Sequence, residues 1–259
     1  MPVSSSEKKN PLLENLKGNC MKIQHRDRCI IVFIKPPESG NVKQRLAHSI
    51  GNDHATHLYQ AFIQDTLHIL ATASYPVFLF VSPSEKNNTF LNQLQKKYVV
   101  YAQQGTSLGE RMDQALHQMI QEGYHQLLLI GSDSPDLPVD FFHHAFSSLS
   151  HVDVVLGPSS DGGYYLIGCT PSGFCHEIFS NIPWSTSQVL SQTLQRCRKT
   201  NKSVELLPVW YDIDTLVDLH GFIQRTQAIP SSSSVTRSYV LAHPEIFITP
   251  CTKPSVRKD

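Results

Sequence analysis

The chain has no excess of either charge: 22 lysines and arginines stand against 22 aspartates and glutamates in 259 residues. A neutral chain gives no broad electrostatic reason to bind nucleic acid, so any phosphate recognition has to be local. None of the six cysteines (Cys20, Cys29, Cys169, Cys175, Cys197 and Cys251) forms a C-x-x-C pair. The chain is too long for a small secreted scaffold, so reduced thiols in a cytoplasmic protein are expected. Thirteen histidines invite a metal reading, but H-x-H and H-E-x-x-H are both missing. His54 and His57, a helical turn apart, and the adjacent His143 and His144 read as surface or satisfied side chains rather than ligands. No apolar run approaches the roughly 20 residues of a membrane span. The first residues lack an apolar signal core, so a soluble protein is expected. There is no internal repeat.

What the sequence does contain is alternation. Apolar runs at Cys29–Ile34, Val77–Val81, Tyr98–Ala102 and Gln126–Gly131 are separated by segments of helical period. Between the first two runs, Ala55, Leu58, Tyr59, Phe62 and Leu67 share one helical face. Leu108, Met112, Ala115, Leu116 and Met119 form another such stripe. Helices are also expected over "FLNQLQKK", from about Pro138 to Leu149, over 186–199 and over "TLVDLHGFIQRT", with "SVELLP" a last strand. Strand–helix alternation predicts a largely parallel sheet with helices on both faces, an α/β architecture. "DVVLG" and "YYLIGC" are separated only by "PSSDGG", too short for a crossover, so the sheet should be mixed. The length suits one large α/β domain, here 28–229. Residues 1–27 read as a flexible lead-in, with Met21 a second candidate start. Residues 230–259, rich in Ser and Pro and without periodicity, read as a disordered or loosely docked tail.

In open α/β sheets ligands bind beyond the carboxyl ends of the strands. After the first strand come Lys35, Gly40, Lys43 and Arg45 in a Gly/Pro turn that leads into a helix. Backbone N–H groups, a helix dipole and three cations would cradle a polyphosphate. A solvated turn with ordinary surface cations is the plain alternative, and without G-K-[ST] the turn is no Walker A loop. After the fourth strand comes "GSDSPDL", and after the last comes "YDIDT". Asp133 and Asp214 could share one Mg²⁺ (or Mn²⁺) that also holds phosphates. Helix capping is the alternative for Asp214 and the preferred reading for Asp136. In "SSDGGYY", Asp161 either orients an acceptor hydroxyl as its base or closes an Asp-Gly turn. In "GTSLGER", Gly105 and Gly109 could shape a nucleotide wall and Arg111 reach a phosphate, or Arg111 could be an exposed helix residue.

Six blocks in order, "KPPESGNVKQRL", "QGTSLGERM", "GSDSPDL", "GPSSDGGYYLIG", "IPWSTSQVL" and "YDIDT", resemble the bacterial DUF2064 family over about Cys29 to Gln227. The resemblance implies a single glycosyltransferase-A-like (Rossmann-like) domain of the nucleotide-diphospho-sugar transferase superfamily. By that likeness Lys35, Lys43 and Arg45 match the phosphate loop, Asp133 the metal aspartate and Asp214 the late acidic residue. The sequence departs from the family at Ser107, where an acidic residue is frequent, and at Ser39, where proline is common. The expected activity is a Mg²⁺-dependent glycosyltransferase acting on a nucleotide-activated donor and a small-molecule acceptor. Two alternatives stand beside it. One is a nucleotidyltransferase that releases pyrophosphate, which a three-cation loop would suit. The other is a nucleotide-binding regulator without turnover, against which the set Asp133, Asp161 and Asp214 argues.

Overall fold

The computed structural model describes residues 27–84, 88–228, 230 and 233–247. The lead-in and the end of the tail therefore lie outside the described residues. Seven strands form one sheet: β1 (Arg28–Ile34), β2 (Val77–Val81), β3 (Val99–Ala102), β4 (Gln126–Ile130), β5 (Val154–Pro158), β6 (Tyr164–Cys169) and β7 (Val204–Leu206). Their order is β3-β2-β1-β4-β6-β5-β7, and β6 is antiparallel to both of its neighbours while the other pairings are parallel. The short "PSSDGG" link is thus a hairpin connection, as its length required.

Strand residues alternate between two cores, as the period of two in a pleated strand dictates. Ile30, Val32 and Ile34 of β1, with Leu128 and Ile130 of β4, face one core. Cys29, Ile31, Leu127 and Leu129 face the other. The first core is covered by α2 (Asn52–Ala73), α5 (Val139–Ser148), α7 (Leu216–Arg225) and α8 (Val235–Ala242) through Phe62, Phe142, Phe222 and Val240. The second is covered by α4 (Leu108–Gln121) and α6 (Val189–Lys199) through Met112, Leu116, Met119 and Cys197. With both faces covered, central strands can be apolar along their whole length, which is why they read as unbroken runs. Each fully buried Leu or Phe contributes about 2 kcal/mol. Among the described residues no helix is long and apolar enough to cross a membrane.

The expected short helix after β2 is present as α3 (Thr89–Leu94). Other elements were not anticipated. Helix α1 (Gln44–Ile50) is only seven residues long and is divided from α2 by Gly51. A 3-10 turn forms at His176–Phe179. In the region read as a tail, α8 and a 3-10 turn at Pro244–Phe247 join the first core, with Val240 2% and Ile246 4% exposed. Asp65 of α2 fastens α8, accepting hydrogen bonds from Ser234 Oγ, Val235 N and Thr236 N at 2.7–2.9 Å.

Candidate active site

The strand order reverses at β1 and β4: the chain builds β2 and β3 to one side of β1, then returns to add β4 on the other. A crevice opens at such a switch point beyond the carboxyl ends of the two strands. The loop after β1 supplies Lys35, Gly40, Lys43 and Arg45, and the loop after β4 supplies Ser132, Asp133 and Ser134. Loops after β5 and β7 bring Asp161, Asp212 and Asp214 to the same edge.

Lys43 is not the exposed cation its neighbourhood suggested. Its backbone is left-handed (φ 47°, ψ 46°) at the N-cap of α1. That conformation costs a residue with a Cβ about 1 kcal/mol, and such strain collects at functional sites. It turns the side chain inward, leaving it 5% exposed, with Nζ 2.6 Å from Asp133 Oδ1 and 2.8 Å from Asp214 Oδ1. Phe62 lies beneath, its ring centre 5.7 Å from the ammonium. Burial alone would lower the lysine pKa. The two carboxylates outweigh it and raise the pKa above the ordinary lysine value. Asp214 is desolvated too, yet Lys43, with Arg45 and Lys35 further out, holds its pKa below the usual value. Lys35 and Arg45 remain exposed.

Asp133 and Asp214, which the sequence reading paired through Mg²⁺, here meet on the Lys43 ammonium. Capping does not explain either Asp214 or Asp136. Thr215 is the N-cap of α7, in a capping box with Asp218. Pro138 is the N-cap of α5 and has no side-chain cap bond. Asp136 instead accepts from Arg225 Nε at 3.0 Å and Trp210 Nε1 at 3.4 Å.

Asp212 stands in the "YDIDT" motif, where sequence reasoning assigned it no role. Ser134 Oγ donates to its Oδ1 at 2.7 Å. Burial, then the charge of Asp133, pushes its pKa up to about 6, and Asp161 adds to the effect. The signal was legible: D-x-D in an extended segment puts both acids on one face. Tyr59 is a second addition. Its hydroxyl bonds to Ser132 Oγ and to the Lys35 amide, each at 3.0 Å, tying both loops of the crevice to α2. Burial raises its pKa to about 12, so it stays neutral.

Asp161 is exposed at the tip of the β5–β6 hairpin. Its Oδ1 accepts from Ser159 Oγ and from Gly163 N, so it does close a turn. Gly162 is required there: its φ is +92°, and a Cβ would come within 2.3 Å of Ser187 O. Gly105 and Arg111 are not brought to the carboxylates. They sit beyond the end of β3, two strands from β1, with Arg111 Nε donating to Gly105 O at 3.1 Å. A side chain at Gly105 (φ +116°) would strike Glu110 Cβ at 2.7 Å, so the glycine has a local reason.

The two departures from the family also have local roles. Ser107 caps α4 by accepting from Glu110 N, and Ser39 Oγ donates to Asp53. The histidine pairs are engaged with neighbours: His54 with Tyr239, His143 with Tyr75 and His144 with Glu205. A groove of about 360 Å³ runs beside Lys35, between the loops after β1 and β2.

The mixed seven-strand sheet has a glycosyltransferase-A-like fold, which likeness to solved structures shows. A cytidylyltransferase from Leptospira borgpetersenii superposes with a TM-score of 0.51 at 12% identity, over 86% of this chain and 97% of that one. A CMP:2-keto-3-deoxy-manno-octonic acid synthetase complexed with CTP gives 0.50 at 10% identity, over 78% and 99%. At those identities the likeness shows the fold alone. A protein from Desulfovibrio desulfuricans G20, provisionally named a nucleotide-diphospho-sugar transferase, is nearer: 34% identity, TM-score 0.79, 85% of this chain and 96% of that one. Residues 66–186 match the model of DUF2064, described as "Uncharacterized protein conserved in bacteria". The chain belongs to the DUF2064 family. No curated protein matches it significantly.

Proposed function

We propose that the chain is a Mg²⁺-dependent glycosyltransferase acting on a nucleotide-diphospho-sugar. One observation carries the reading: Asp133 and Asp214 each spend Oδ1 on a buried ammonium and remain 44% and 43% exposed, beside the exposed Lys35 and Arg45. Among the described residues no three His, Cys, Asp or Glu side chains converge to hold a metal by themselves. Two carboxylates nonetheless fit Mg²⁺, which takes its remaining ligands from water and substrate phosphates. Bound across Asp133 and Asp214, it would offset charge on the departing phosphates.

The chain's own residues supply the rest. Lys35 and Arg45 bind the diphosphate at the crevice mouth, and the groove beside Lys35 takes the nucleoside. The acceptor hydroxyl approaches Asp161, whose Oδ1 is fixed by the hairpin turn and whose Oδ2 has no protein partner among the described residues. The hydroxyl oxygen bonds to the anomeric carbon while its proton passes to Asp161. The bond from that carbon to the β-phosphate oxygen breaks, and the nucleoside diphosphate leaves with its electron pair. The turned-in Lys43 leaves two outward cations rather than three in this loop, which suits a diphosphate better than a triphosphate. The 34% identical relative supports the same choice.

The product decides it. Nucleotide-diphospho-sugars incubated with Mg²⁺ and a small-molecule acceptor pool should release nucleoside diphosphate in an acceptor-dependent way. Pyrophosphate from a nucleoside triphosphate, with no diphosphate from any sugar donor, would overturn the proposal in favour of nucleotidyl transfer.

A further inference from the structure

Lys43 lies beneath the carboxylates of the crevice rather than at its mouth. Its side chain is 5% exposed, against 44% for Asp133 and 43% for Asp214. With two of its three N–H groups spent on the carboxylates and its side chain buried, the ammonium faces the acids rather than the mouth. We propose that Lys43 is a positioning residue: a built-in counter-ion that pairs Asp133 with Asp214 and presents their outer oxygens as one seat for a divalent cation arriving with phosphate. This inference rests on the transferase reading above and assigns Lys43 a place in it other than phosphate ligand.

The geometry supports this in three ways. The ammonium takes Oδ1 of each acid, and Oδ2 of each has no protein partner among the described residues. The left-handed backbone at Lys43 has no capping bond to justify it, since the side chain caps nothing in α1. The acids themselves are fixed from behind, with Ile213 N donating to Asp133 O at 2.9 Å and Asp214 N to Asp218 at 3.2 Å.

Two half-buried carboxylates so close repel each other, and the ammonium seated between them offsets that repulsion. It also cuts the net charge of the pair from −2 to −1, so a bare metal ion is held weakly. A metal–phosphate complex gains Lys35 and Arg45 as further partners. Metal and phosphate should therefore bind with strong mutual dependence.

Removing Lys43 then has an unusual signature. Affinity for bare metal should rise, and metal-free phosphate binding should change little. A phosphate ligand would behave differently on the second count, losing phosphate affinity when it is removed. Free Mn²⁺ can be followed by its electron paramagnetic resonance signal during titration without nucleotide. Inorganic tripolyphosphate binding in EDTA can be followed by calorimetry.

For Lys43→Met we expect Mn²⁺ to bind about tenfold more tightly, since the nearest opposing charge is gone. Tripolyphosphate affinity should stay within about threefold of wild type, while Arg45→Ala should lose about tenfold. Unchanged or weaker Mn²⁺ binding overturns the proposal, as does a tripolyphosphate loss matching that of Arg45→Ala. If Lys43→Met does not fold, Lys43→Gln gives the same comparison, because the amide still donates to a carboxylate but carries no charge. If tripolyphosphate fails to bind wild type, the nucleotide reading falls, and the Mn²⁺ comparison still decides the role of Lys43.

Discussion

Two carboxylates withdrawn from solvent, Asp65 and Asp212, have opposite surroundings. Asp65 is 4% exposed and receives three hydrogen bonds from the start of α8, two of them from backbone amides. Donors at a helix N-terminus favour a negative charge there. Asp212 receives one hydrogen bond, from Ser134, and faces the charges of Asp133 and Asp161. The first site is complete within the protein. The second holds more negative charge than its neighbours neutralise, and so has capacity for something from outside. Burial alone therefore does not separate structural acids from functional ones; the donors around them do.

The largest expected effect lies on the side with spare charge. Asp133→Asn keeps the shape but removes the charge that faces Lys43 and the metal seat. Turnover should fall about a thousandfold in Mg²⁺, with the melting temperature changed little. A Mg²⁺ response in this variant equal to that of wild type would place the metal elsewhere.

The complete site should fail differently. Asp65→Ala leaves the N-terminus of α8 and Ser234 without their acceptor. It should cost about 3 kcal/mol in urea unfolding, as loss of a buried charged acceptor does, and leave nucleotide affinity unchanged. A smaller cost, or a loss of nucleotide binding, would blur the contrast between the two acids.

How much of this was legible follows the same division. The sheet could be read because β1, β2 and β4 are short apolar runs, and the hairpin because six residues cannot make a crossover. The crevice residues could be listed because each follows a strand, and the carboxyl edge of a parallel sheet collects whatever follows its strands. Which way a side chain turns once there was not legible. Lys43 looks like its neighbours in sequence, and only a left-handed φ sends it inward. Asp212 lay in view in "YDIDT", but its hydrogen-bond donor, Ser134, stands 78 residues earlier. Helix α8 was hidden because it spans eight residues after a serine run, too few for its period to show. Its acceptor, Asp65, lies on a helix 170 residues earlier in the chain.

The exposed cations sharpen the comparison at the mouth of the crevice. Arg45→Ala should weaken nucleotide binding about tenfold, about 1.4 kcal/mol, and flatten its salt dependence. Stability should be unaffected, since the side chain is solvated. Equal nucleotide affinity in wild type and in the double variant Lys35→Ala, Arg45→Ala would remove the phosphate cradle altogether.

The smallest effect tests Asp212 itself. Its folded-state pKa, pushed up to about 6, lies above the ordinary aspartate value of 3.8. A raised carboxyl pKa means the folded state binds the proton more tightly than the unfolded chain does. The stability this confers is full below about pH 4 and is lost as pH rises through 6. Above that, holding Asp212 ionised strains the fold. Asn at this position can still accept from Ser134 but has no charge to hold. Asp212→Asn should therefore match wild type near pH 4 and be more stable at about pH 7.5 by about 1 kcal/mol, after allowing for partial solvent screening. Urea melts in EDTA at the two pH values give the comparison. A variant that gains nothing on wild type between the lower and the higher pH would show that the carboxylate is as well satisfied as Asp65, and the contrast between the two sites would be lost.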